Sequence, residues 1–512
     1  MIKSDHLARI EKVIDHSGIS EVIEALLPIG VRPRQLSVRT LLVGILLAIS
    51  DYRPAHLTRV HQALTCLAEA DQFRLGVVVC FRGRLHHLTY RQVEYTVRLV
   101  VRLLSRNAPD GKASDLLTEV IHSLLCASIP ENYKTTSGSV AVDWTDHESF
   151  ARPVAKGEIG GYDQQASWGH RRGNHPGEQD EFFFGYYLSL ATLVAEESGP
   201  DVPEVVMAMN LTSCFLDPVP AFIPVISRLA SSGFGLTDVL ADTGYANRLP
   251  GNWAIPLRIL GANIVTDLHP HDRGRTGTFA GAILFNGNLY CPKTPEVLFD
   301  ISPLGRTASY EAICNNDALA GELARYKQAV VTSDDKDGYW RARCPALSGK
   351  LRCPLRENSM TLGFNRPTVL YPPENPPTCC KQASFTVPPS VNAKTRQKHD
   401  YPSPLHRKSY ARRTAVERSN SRIKDPATVN IERGWCRMVG VVPLSLMIVC
   451  ALVVTNLAVI DAFDARRAEN EQRAAAGLPI KTRKRRRKTL ADLMVANAPP
   501  QYSAPRTLTV TA

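Results

Sequence analysis

Residues 410–424 read YARRTAVERSNSRIK, and the interpretation of the fold starts from this stretch. At about 100° per residue on a helix, four of its side chains fall within an arc of roughly 60°; they are Tyr410, Arg413, Glu417 and Lys424. One helix face would then present a carboxylate, which can bind a metal ion, and three donors that can hold phosphates. A solvent-exposed helix with an Arg413–Glu417 ion pair is an equally good interpretation of this helix alone.

Two aspartates accompany short apolar runs that are typical of β-strands. Residues 139–144 (SVAVDW) alternate like a strand and contain Asp143, and Asp242 follows the run DVLA. Gly244 permits a tight turn or a close approach of a phosphate to the backbone. Taken singly, such an aspartate is more often a turn residue or a helix cap. Asp146 is a nearby alternative to Asp143, which we prefer because it immediately follows the alternating run.

The three segments together resemble a known family. The spacing Tyr-x2-Arg-x3-Glu-x6-Lys matches the signature of a large group of bacterial insertion-sequence transposases with a DDE site. The flanking sequence AVERSNSRIKD resembles the sequence around that group's glutamate. In the same way, AVDWTD (141–146) and ADTGYAN (241–247) resemble the segments around its first and second aspartates. The resemblance covers about residues 137–460 and is weaker over the N-terminal region and the tail.

This resemblance implies an α/β fold with an RNase H-like mixed sheet. In that family the first aspartate lies on the first strand, the second just after the fourth strand, and the glutamate on a late helix. The catalytic carboxylates, which would also bind two Mg²⁺ or Mn²⁺ ions, would be Asp143, Asp242 and Glu417. The residues that hold the phosphates of the transposon ends would be Tyr410, Arg413 and Lys424.

Periodicity along the chain indicates five regions. We expect a helical N-terminal domain at 1–130 for DNA binding or dimerisation, two parts of a catalytic core at 137–268 and 406–475, a β-rich, irregular insertion at 269–405, and a basic, disordered tail at 476–512. Further helices are predicted at 37–49, 90–104 and 220–231. Further strands are predicted at 182–194, 205–211 and 262–268. Strands in succession, followed by strands that alternate with helices, favour a mixed α/β sheet.

Cysteines are concentrated in the predicted insertion. The chain has 12 cysteines in 512 residues, too few for a disulfide scaffold. Those of the insertion are Cys291, Cys344, Cys353, Cys379 and Cys380, and His269 and His271 lie at its start. Structural zinc is one interpretation. Ordinary reduced cysteines are the preferred one, because Cys344 and Cys353 are too far apart in sequence to form the close pair usual in zinc sites.

Charge favours a nucleic-acid partner. The net charge of +12 points to a polyanion, with nucleic acid preferred over a membrane surface. The runs KTRKRRRK (481–488) and HRRGNH (170–175) are most simply solvated segments, of which the first touches phosphate nonspecifically. Residues 1–11 do not resemble a signal peptide, so we expect a cytoplasmic, nucleoid-associated protein. Residues 438–460 carry no charge and are long enough to span a bilayer, but we interpret them as a buried helix.

The sequence therefore predicts a DNA transposase that cleaves and joins DNA strands in a metal-dependent reaction. Its partners would be the inverted ends of its element and the target DNA, with a homodimer on DNA and no membrane. A catalytically inactive, transposase-derived DNA-binding protein is the alternative, and the presence of all three carboxylates argues against it. A protein anchored in a membrane by residues 438–460 is a third interpretation.

Overall fold

The computed structural model describes residues 4–28, 34–153, 155, 161–171, 179–301, 308–332 and 334–481. Residues 172–175 of one basic run lie outside the described residues. So do residues 482–488 of the other run and the rest of the predicted tail up to residue 512. The chain divides into two units, Met1–Ile460 and Asp461–Ala512. The sheet and the candidate site belong to the first unit.

The described residues before 137 are mainly helical, as the sequence predicts. They form the helices α1 (Ser4–Ser17), α2 (Ile19–Leu26), α3 (Val38–Ser50), α4 (Leu57–Thr65), α5 (Glu69–Arg74), α6 (Tyr90–Leu104), α7 (Asp115–Ala127) and α8 (Glu131–Thr136), with a hairpin of β1 (Val78–Phe81) and β2 (Arg84–His87). The Ser37 hydroxyl accepts a hydrogen bond from the Thr40 N–H and caps α3. Thr89 and Gln92 form a capping box that begins α6.

A six-stranded mixed sheet follows. Its strands are β3 (Ser139–Glu148), β4 (Ser167–Arg171), β5 (Glu181–Val194), β6 (Val206–Ser213), β7 (Asp238–Ala241) and β8 (Asn263–Thr266). The order is β4–β5–β3–β7–β8, and β6 pairs with β5 as well. Strands β3, β4 and β6 run antiparallel to β5, whereas β7 is parallel to both β3 and β8. The predicted mixed α/β fold is confirmed.

Helices connect the later strands. They are α9 (Pro218–Ser231), α10 (Thr243–Ala246) and α11 (Ala254–Ile259), with a 3-10 turn at Pro250–Asn252. The prediction of strand and helix positions was correct for β5, β7 and α9 to within two residues at each end. Strand β4 was missed, because its residues His170 and Arg171 belong to a basic run that we interpreted as a loop. Pairing with the unusually long β5 makes this segment a strand.

The predicted insertion is irregular, and its described residues form about as much α-helix as strand, so it is less β-rich than the sequence predicts. It contains β9 (Arg275–Phe279), β10 (Ala282–Phe285), β11 (Asn288–Tyr290), α12 (Tyr310–Tyr326), β12 (Ala329–Thr332), β13 (Trp340–Arg343), α13 (Thr378–Lys381), β14 (Phe385–Val387) and α14 (Pro389–Asn392), with 3-10 turns at Pro270–Asp272, Glu296–Phe299 and Glu357–Thr361. The strands form two antiparallel three-stranded sheets, β11–β10–β9 and β12–β13–β14. The 17-residue helix α12 was not predicted, because few of its side chains are buried and its apolar periodicity is weak.

The two ends of the insertion meet at β8. The Thr266 N–H donates to Gln397 Oε1 at 2.8 Å, and Gln397 Nε2 donates to Thr266 Oγ1 at 2.9 Å. The Lys398 N–H donates to the Ile264 carbonyl at 3.2 Å. The chain therefore leaves the central sheet and returns to it at one place.

The helix predicted at residues 410–424 is interrupted near its start. It consists of α15 (Pro404–Tyr410), a 3-10 turn (Ala411–Arg413) and α16 (Thr414–Lys424). Within the turn, Arg412 donates to Asp238 Oδ2 at 2.6 Å and to the Ala195 carbonyl at 3.1 Å. These bonds hold the turn against the sheet, and α16 packs on β3 and β5.

The last helix is α17 (Val441–Ala475), the one described helix long and apolar enough to cross a membrane. In its most apolar 18-residue window, 83% of the residues are buried inside the protein, which is typical of a core helix. Asn456, within this window, forms two hydrogen bonds with strand β6. The Val206 N–H donates to Asn456 Oδ1 at 2.8 Å, and Asn456 Nδ2 donates to the Val206 carbonyl at 2.9 Å. Asn456 thereby completes the hydrogen bonds at the outer edge of the sheet.

One hydrophobic core extends through most of the first unit. It joins side chains of α3, β5, α16 and α17, for example Leu46, Leu190, Val416 and Ile448. Two smaller clusters fill the insertion. The N-terminal helices therefore share their core with the sheet, and the domain boundaries stay predictions.

Candidate active site

Asp143 lies inside strand β3, and not at its end as the sequence indicated. β3 continues to Glu148 because the long partner β5 pairs with it throughout. The shorter neighbour on the other side, β7, pairs only with Val140 and Ala141. Asp143 is therefore two residues beyond the last residue that pairs with β7, and on that side of β3 it faces an open edge.

Asp242, directly after β7, lies at the same level along the sheet as Asp143. The parallel register places Ala141 opposite Leu240, so two residues further on Asp143 comes level with Asp242. Neighbouring strands are about 4.8 Å apart, which places these two aspartates side by side. The register therefore brings together two candidate aspartates that are distant in the sequence.

Asp242 is also a helix cap, the interpretation that we gave it when taken singly. Its Oδ1 accepts from the N–H groups of Gly244 at 2.9 Å and Tyr245 at 3.3 Å, and it begins the short helix α10. A Cβ at Gly244 would lie 2.5 Å from the Trp144 ring. Trp144 in turn packs on Tyr245 with ring centroids 4.8 Å apart. Glycine is required here because an aromatic ring fills the space, which fixes the turn that orients Asp242.

Glu417 approaches the aspartates from helix α16. One turn after it, Asn420 Nδ2 donates to Asp143 Oδ2 at 3.2 Å, so this face of α16 points at Asp143. Glu417 itself accepts from Arg413 at 2.5 Å, and its side chain is 47% exposed. The predicted Arg413–Glu417 ion pair therefore forms. Asn420 was not predicted, although its position three residues after Glu417 on the same helix face was the available signal.

Asp143 lies near enough to both other candidate carboxylates for their charges to act on its pKa. Burial raises the pKa of Asp143 to about 7, and the negative charges of Asp242 and Glu417 act in the same direction. The Arg413 guanidinium and the hydrogen bond from the Trp144 N–H lower this pKa but do not offset the rise. Several carboxylates close together in a partly buried site repel one another when ionised, and a bound cation would stabilise their ionised forms.

Arg413 contacts both Glu417 and Tyr410, whereas Lys424 contacts a different carboxylate. The Arg413 guanidinium is 5.5 Å from the centre of the Tyr410 ring, and burial raises the pKa of the Tyr410 hydroxyl to about 12. Lys424, at the far end of α16, contacts Asp146 at 3.2 Å. The continuous helix predicted to carry all four side chains is interrupted by the 3-10 turn at Ala411–Arg413, whereas Glu417 and Lys424 lie on one uninterrupted helix, seven residues apart.

Asp146, the alternative first aspartate, is held by cations. Arg171 donates to its Oδ2 at 2.5 Å, and Lys424 contacts the same oxygen. Burial acts to raise the pKa of Asp146, but Lys424 and Arg171 outweigh it and lower that pKa. Asp146 is thus a paired, structural carboxylate, and Asp143 is the one that interacts with Asp242 and Glu417.

An ion network under the site was not predicted from the sequence. Arg412 and Lys398 both bind Asp238 Oδ2, at 2.6 and 2.7 Å, and the Asp238 side chain is fully buried at the start of β7. Glu197 joins the network through Arg412 at 3.3 Å. These pairs are distant in sequence, so no local pattern indicates them. The network fixes the turn that carries Arg413 relative to the strand that leads to Asp242.

No protein-family model matches the chain, and a search of curated proteins finds no match. As the side chains stand, no group of three or more His, Cys, Asp or Glu residues within the described parts of the chain is arranged to hold a metal ion.

Proposed function

We propose that the chain is a DDE-type DNA transposase with an RNase H-like core. The observation that carries this proposal is the level placement of Asp143 on β3 and Asp242 directly after the parallel strand β7, with the Glu417 carboxylate acting on Asp143 from α16. The strand order supports it. With edge strand β4 set aside, the strands in chain order are β3, β5, β6, β7 and β8, and their order in the sheet is β6–β5–β3–β7–β8. The first three strands of the chain pair in antiparallel fashion, and β7 and β8 run parallel to β3. Asp242 then follows the fourth strand of the chain.

The donor set fits Mg²⁺ or Mn²⁺. Asp143, Asp242 and Glu417 offer carboxylate oxygens, which these hard cations prefer. The raised pKa of Asp143 comes from burial and from uncompensated neighbouring carboxylates, a charge imbalance that divalent cations would remove. Bound there, such ions would supply Lewis-acid stabilisation of the attacking and leaving oxygens of a phosphodiester. Asp143 must lose its proton before it can act as a ligand, so we expect metal binding to strengthen as the pH rises through about 7.

The cationic side chains would hold the DNA backbone. Arg413 lies between Tyr410 and Glu417 and can turn its guanidinium to a phosphate once Glu417 is a metal ligand. Tyr410, whose raised pKa keeps its hydroxyl protonated, can donate to a phosphate oxygen. Lys424 would do so after leaving Asp146. The net charge of +12 supports DNA as the partner, with the element's ends and the target bound by a homodimer near the nucleoid.

The decisive experiment uses duplex DNA that carries the sequences flanking the gene. We expect nicking in Mg²⁺ or Mn²⁺ by the unaltered protein, and none by Asp143→Ala, Asp242→Ala or Glu417→Ala, because each removes a ligand carboxylate. DNA binding in gel-shift titrations should persist in all three. Asp201→Ala, which alters an exposed aspartate outside the site, is the matched control and should cleave normally. Full cleavage by all three site variants would exclude the proposed active site.

A DNA-binding protein without catalysis is the second candidate. The 2.5 Å pair between Arg413 and Glu417 favours it, because it occupies the third carboxylate. In that case the unaltered protein would bind the same duplexes and cleave none of them in Mg²⁺ or Mn²⁺.

A further inference from the structure

The hairpin of β1 and β2 ends in an exposed tip that carries an arginine in an unusual conformation. Its two connecting residues, Arg82 and Gly83, have φ angles of 51° and 72°, which is typical of a type I′ turn. Asparagine or glycine is preferred at the first of these positions, because a positive φ is unfavourable for other side chains. An arginine there costs stability, which indicates a use for its charge other than folding.

Both faces of the tip combine apolar and basic side chains. Phe81 is 60% exposed on one face of the hairpin, and Leu85 is 56% exposed on the other. Phe81 pairs with Arg84 across the hairpin, and the Arg82 guanidinium lies 5.2 Å from the centre of the Phe81 ring. Such a tip suits a partner that offers apolar contacts and negative charge at the same place.

The base of the hairpin is fixed to helix α6. The Leu88 N–H donates to the Val77 carbonyl at 2.8 Å. Gln35 Nε2 donates to the carbonyls of Val77 and His86, at 3.1 Å in both cases. Gln35 Oε1 accepts from Gln92 Nε2 of α6 at 2.9 Å. These bonds hold the hairpin and the start of α6 together, so the tip and the helix present adjoining surfaces.

The outward face of α6 continues the positive charge of the tip. Exposed side chains recur along this face at intervals of four, three and four residues; they are Arg91, Tyr95, Arg98 and Arg102. Residues 82–106 include six arginines and a single acidic residue, Glu94, which pairs with Arg98. Arg91 and Arg102 have no hydrogen-bond or ion-pair partner within the described residues. Their charge is therefore available to a partner.

We propose that the hairpin tip and the outward face of α6 form one surface that binds duplex DNA, with the tip in a groove and the α6 arginines on the phosphates. From Arg91 to Arg102 the helix rises about 16 Å, which is the axial length of about five base pairs. A two-stranded ribbon fits a groove of DNA, where Phe81 and Leu85 would contact sugars and base edges. The choice of DNA as the partner rests on the proposed function.

Charge favours DNA over a second copy of the chain as the occupant of this surface. In a dimer with twofold symmetry the same patch of both copies meets itself. The arginines of one copy would then face the same arginines of the other, with only Glu94 of each copy to offset them. Like charges at an interface oppose association, whereas the phosphates of DNA neutralise every one of these arginines.

The surface is connected to the helix that carries Glu417. Helix α6 packs on α4, and the N–H of Ala55, just before α4, donates to the Trp435 carbonyl at 2.7 Å. In the segment that leads to Trp435, the Ile431 N–H donates to the Ile423 carbonyl of α16 at 2.8 Å. DNA bound at the surface is therefore held by elements that pack, through α4, on the segment following the glutamate helix.

The test is the affinity of the full chain for a labelled DNA duplex, measured by fluorescence anisotropy over a range of salt concentrations without divalent ions. Arg82→Asn removes a charge but suits the type I′ turn, so the hairpin should fold at least as well. We expect this variant, and the double variant Arg91→Gln with Arg102→Gln, to bind on the order of tenfold more weakly for each arginine lost. The slope of log affinity against log salt should fall by about 1 for each phosphate contact removed. Arg343→Gln, which alters an exposed arginine of β13, is the matched control and should bind normally.

Phe81→Ala separates the groove contact from the phosphate contacts. It should weaken binding and leave the salt slope unchanged, because it removes apolar contact and no charge. Unchanged affinity in both arginine variants would overturn the surface, and so would a change of oligomeric state in Phe81→Ala without a loss of DNA affinity. Either result leaves the proposed cleavage untouched. Weaker binding by the arginine variants, combined with no nicking by the unaltered protein in Mg²⁺ or Mn²⁺, would support the surface and contradict the proposed function.

Discussion

Within the candidate site, folding changes the pKa of the partly buried Asp143 most clearly. Its pKa in the unfolded chain is near 3.8 and rises to about 7 in the folded protein. Between these values the folded protein binds a proton that the unfolded chain has lost. The ionised form therefore costs stability progressively as the pH rises from about 4 to about 7. A residue needed only for stability would not be placed in this way.

This gives a prediction for Asp143→Asn. The variant cannot ionise, so its free energy of unfolding relative to the unaltered protein should increase from pH 4 to pH 8, by on the order of 4 kcal/mol. Urea unfolding followed by circular dichroism at several pH values, without divalent ions, measures it.

The matched control is Asp146→Asn, three residues along the same strand. Because Lys424 and Arg171 lower the pKa of Asp146, its contribution to stability is present above the unfolded value and is lost as the pH falls. Its substitution should destabilise the protein at pH 8 and less so near pH 3. Parallel pH profiles for the two variants would contradict the assigned environments.

At the scale of elements, the short turn between α15 and α16 matters most for the site. The turn carries Arg413, and Arg412 within it reaches the fully buried Asp238 at the start of β7. The Arg412 side chain is itself mostly buried. The ion pair therefore ties the glutamate helix to the strand that ends in Asp242, across 174 residues of sequence.

We expect Arg412→Ala to lower the free energy of unfolding by about 3 kcal/mol, because it leaves a buried carboxylate with less compensation. Arg98→Ala is the control: this arginine makes an i,i+4 pair with Glu94 on the surface of α6, and its loss should cost less than about 0.5 kcal/mol. Guanidinium unfolding of both variants provides the comparison. Equal losses would show that Arg412 is an ordinary surface ion pair.

Elements with a strong local pattern could be predicted from sequence, and those that depend on distant contacts could not. The bounds of β7 and α6 followed from a short apolar run and from helical amphipathicity. The break at Ala411–Arg413 could not, since Arg412 owes its position to Asp238. Likewise, the strand containing Asp143 runs past the predicted end because β5 pairs with it. The candidate site residues stay predictions from residue type and spacing, whereas the hydrogen bond of Asn420 to Asp143 and the pairing of Asp146 with Arg171 and Lys424 are visible only in the fold.

On the scale of the whole molecule, a common core connects the N-terminal helices to the sheet and to α17. No sequence pattern distinguishes a helix that packs on its neighbours in sequence from one that packs on a distant sheet. For the same reason, the apolar stretch at 438–460 left two interpretations open. Its burial, and the contact of Asn456 with the backbone of Val206, are features that appear only in the folded chain.

Asn456→Leu tests that packing. The change leaves the buried N–H and carbonyl of Val206 without partners on that side, so we expect a loss of about 2–4 kcal/mol in the free energy of unfolding. In a helix that faces lipid, the same change would be neutral or stabilising. Thr455→Val is the control, because the Thr455 hydroxyl bonds only the Ala451 carbonyl of its own helix. An unfolding free energy of Asn456→Leu equal to that of the control would refute the core role.

The closed base of the insertion has a consequence for how the protein can diversify. Gln397 and Lys398 return to Thr266 and Ile264, so more than a hundred residues form a side branch whose entry and exit are adjacent. Lengthening, shortening or exchanging the branch leaves the path between the carboxylates unchanged. Sequence changes within this appendage therefore need not alter the register that sets Asp143 level with Asp242.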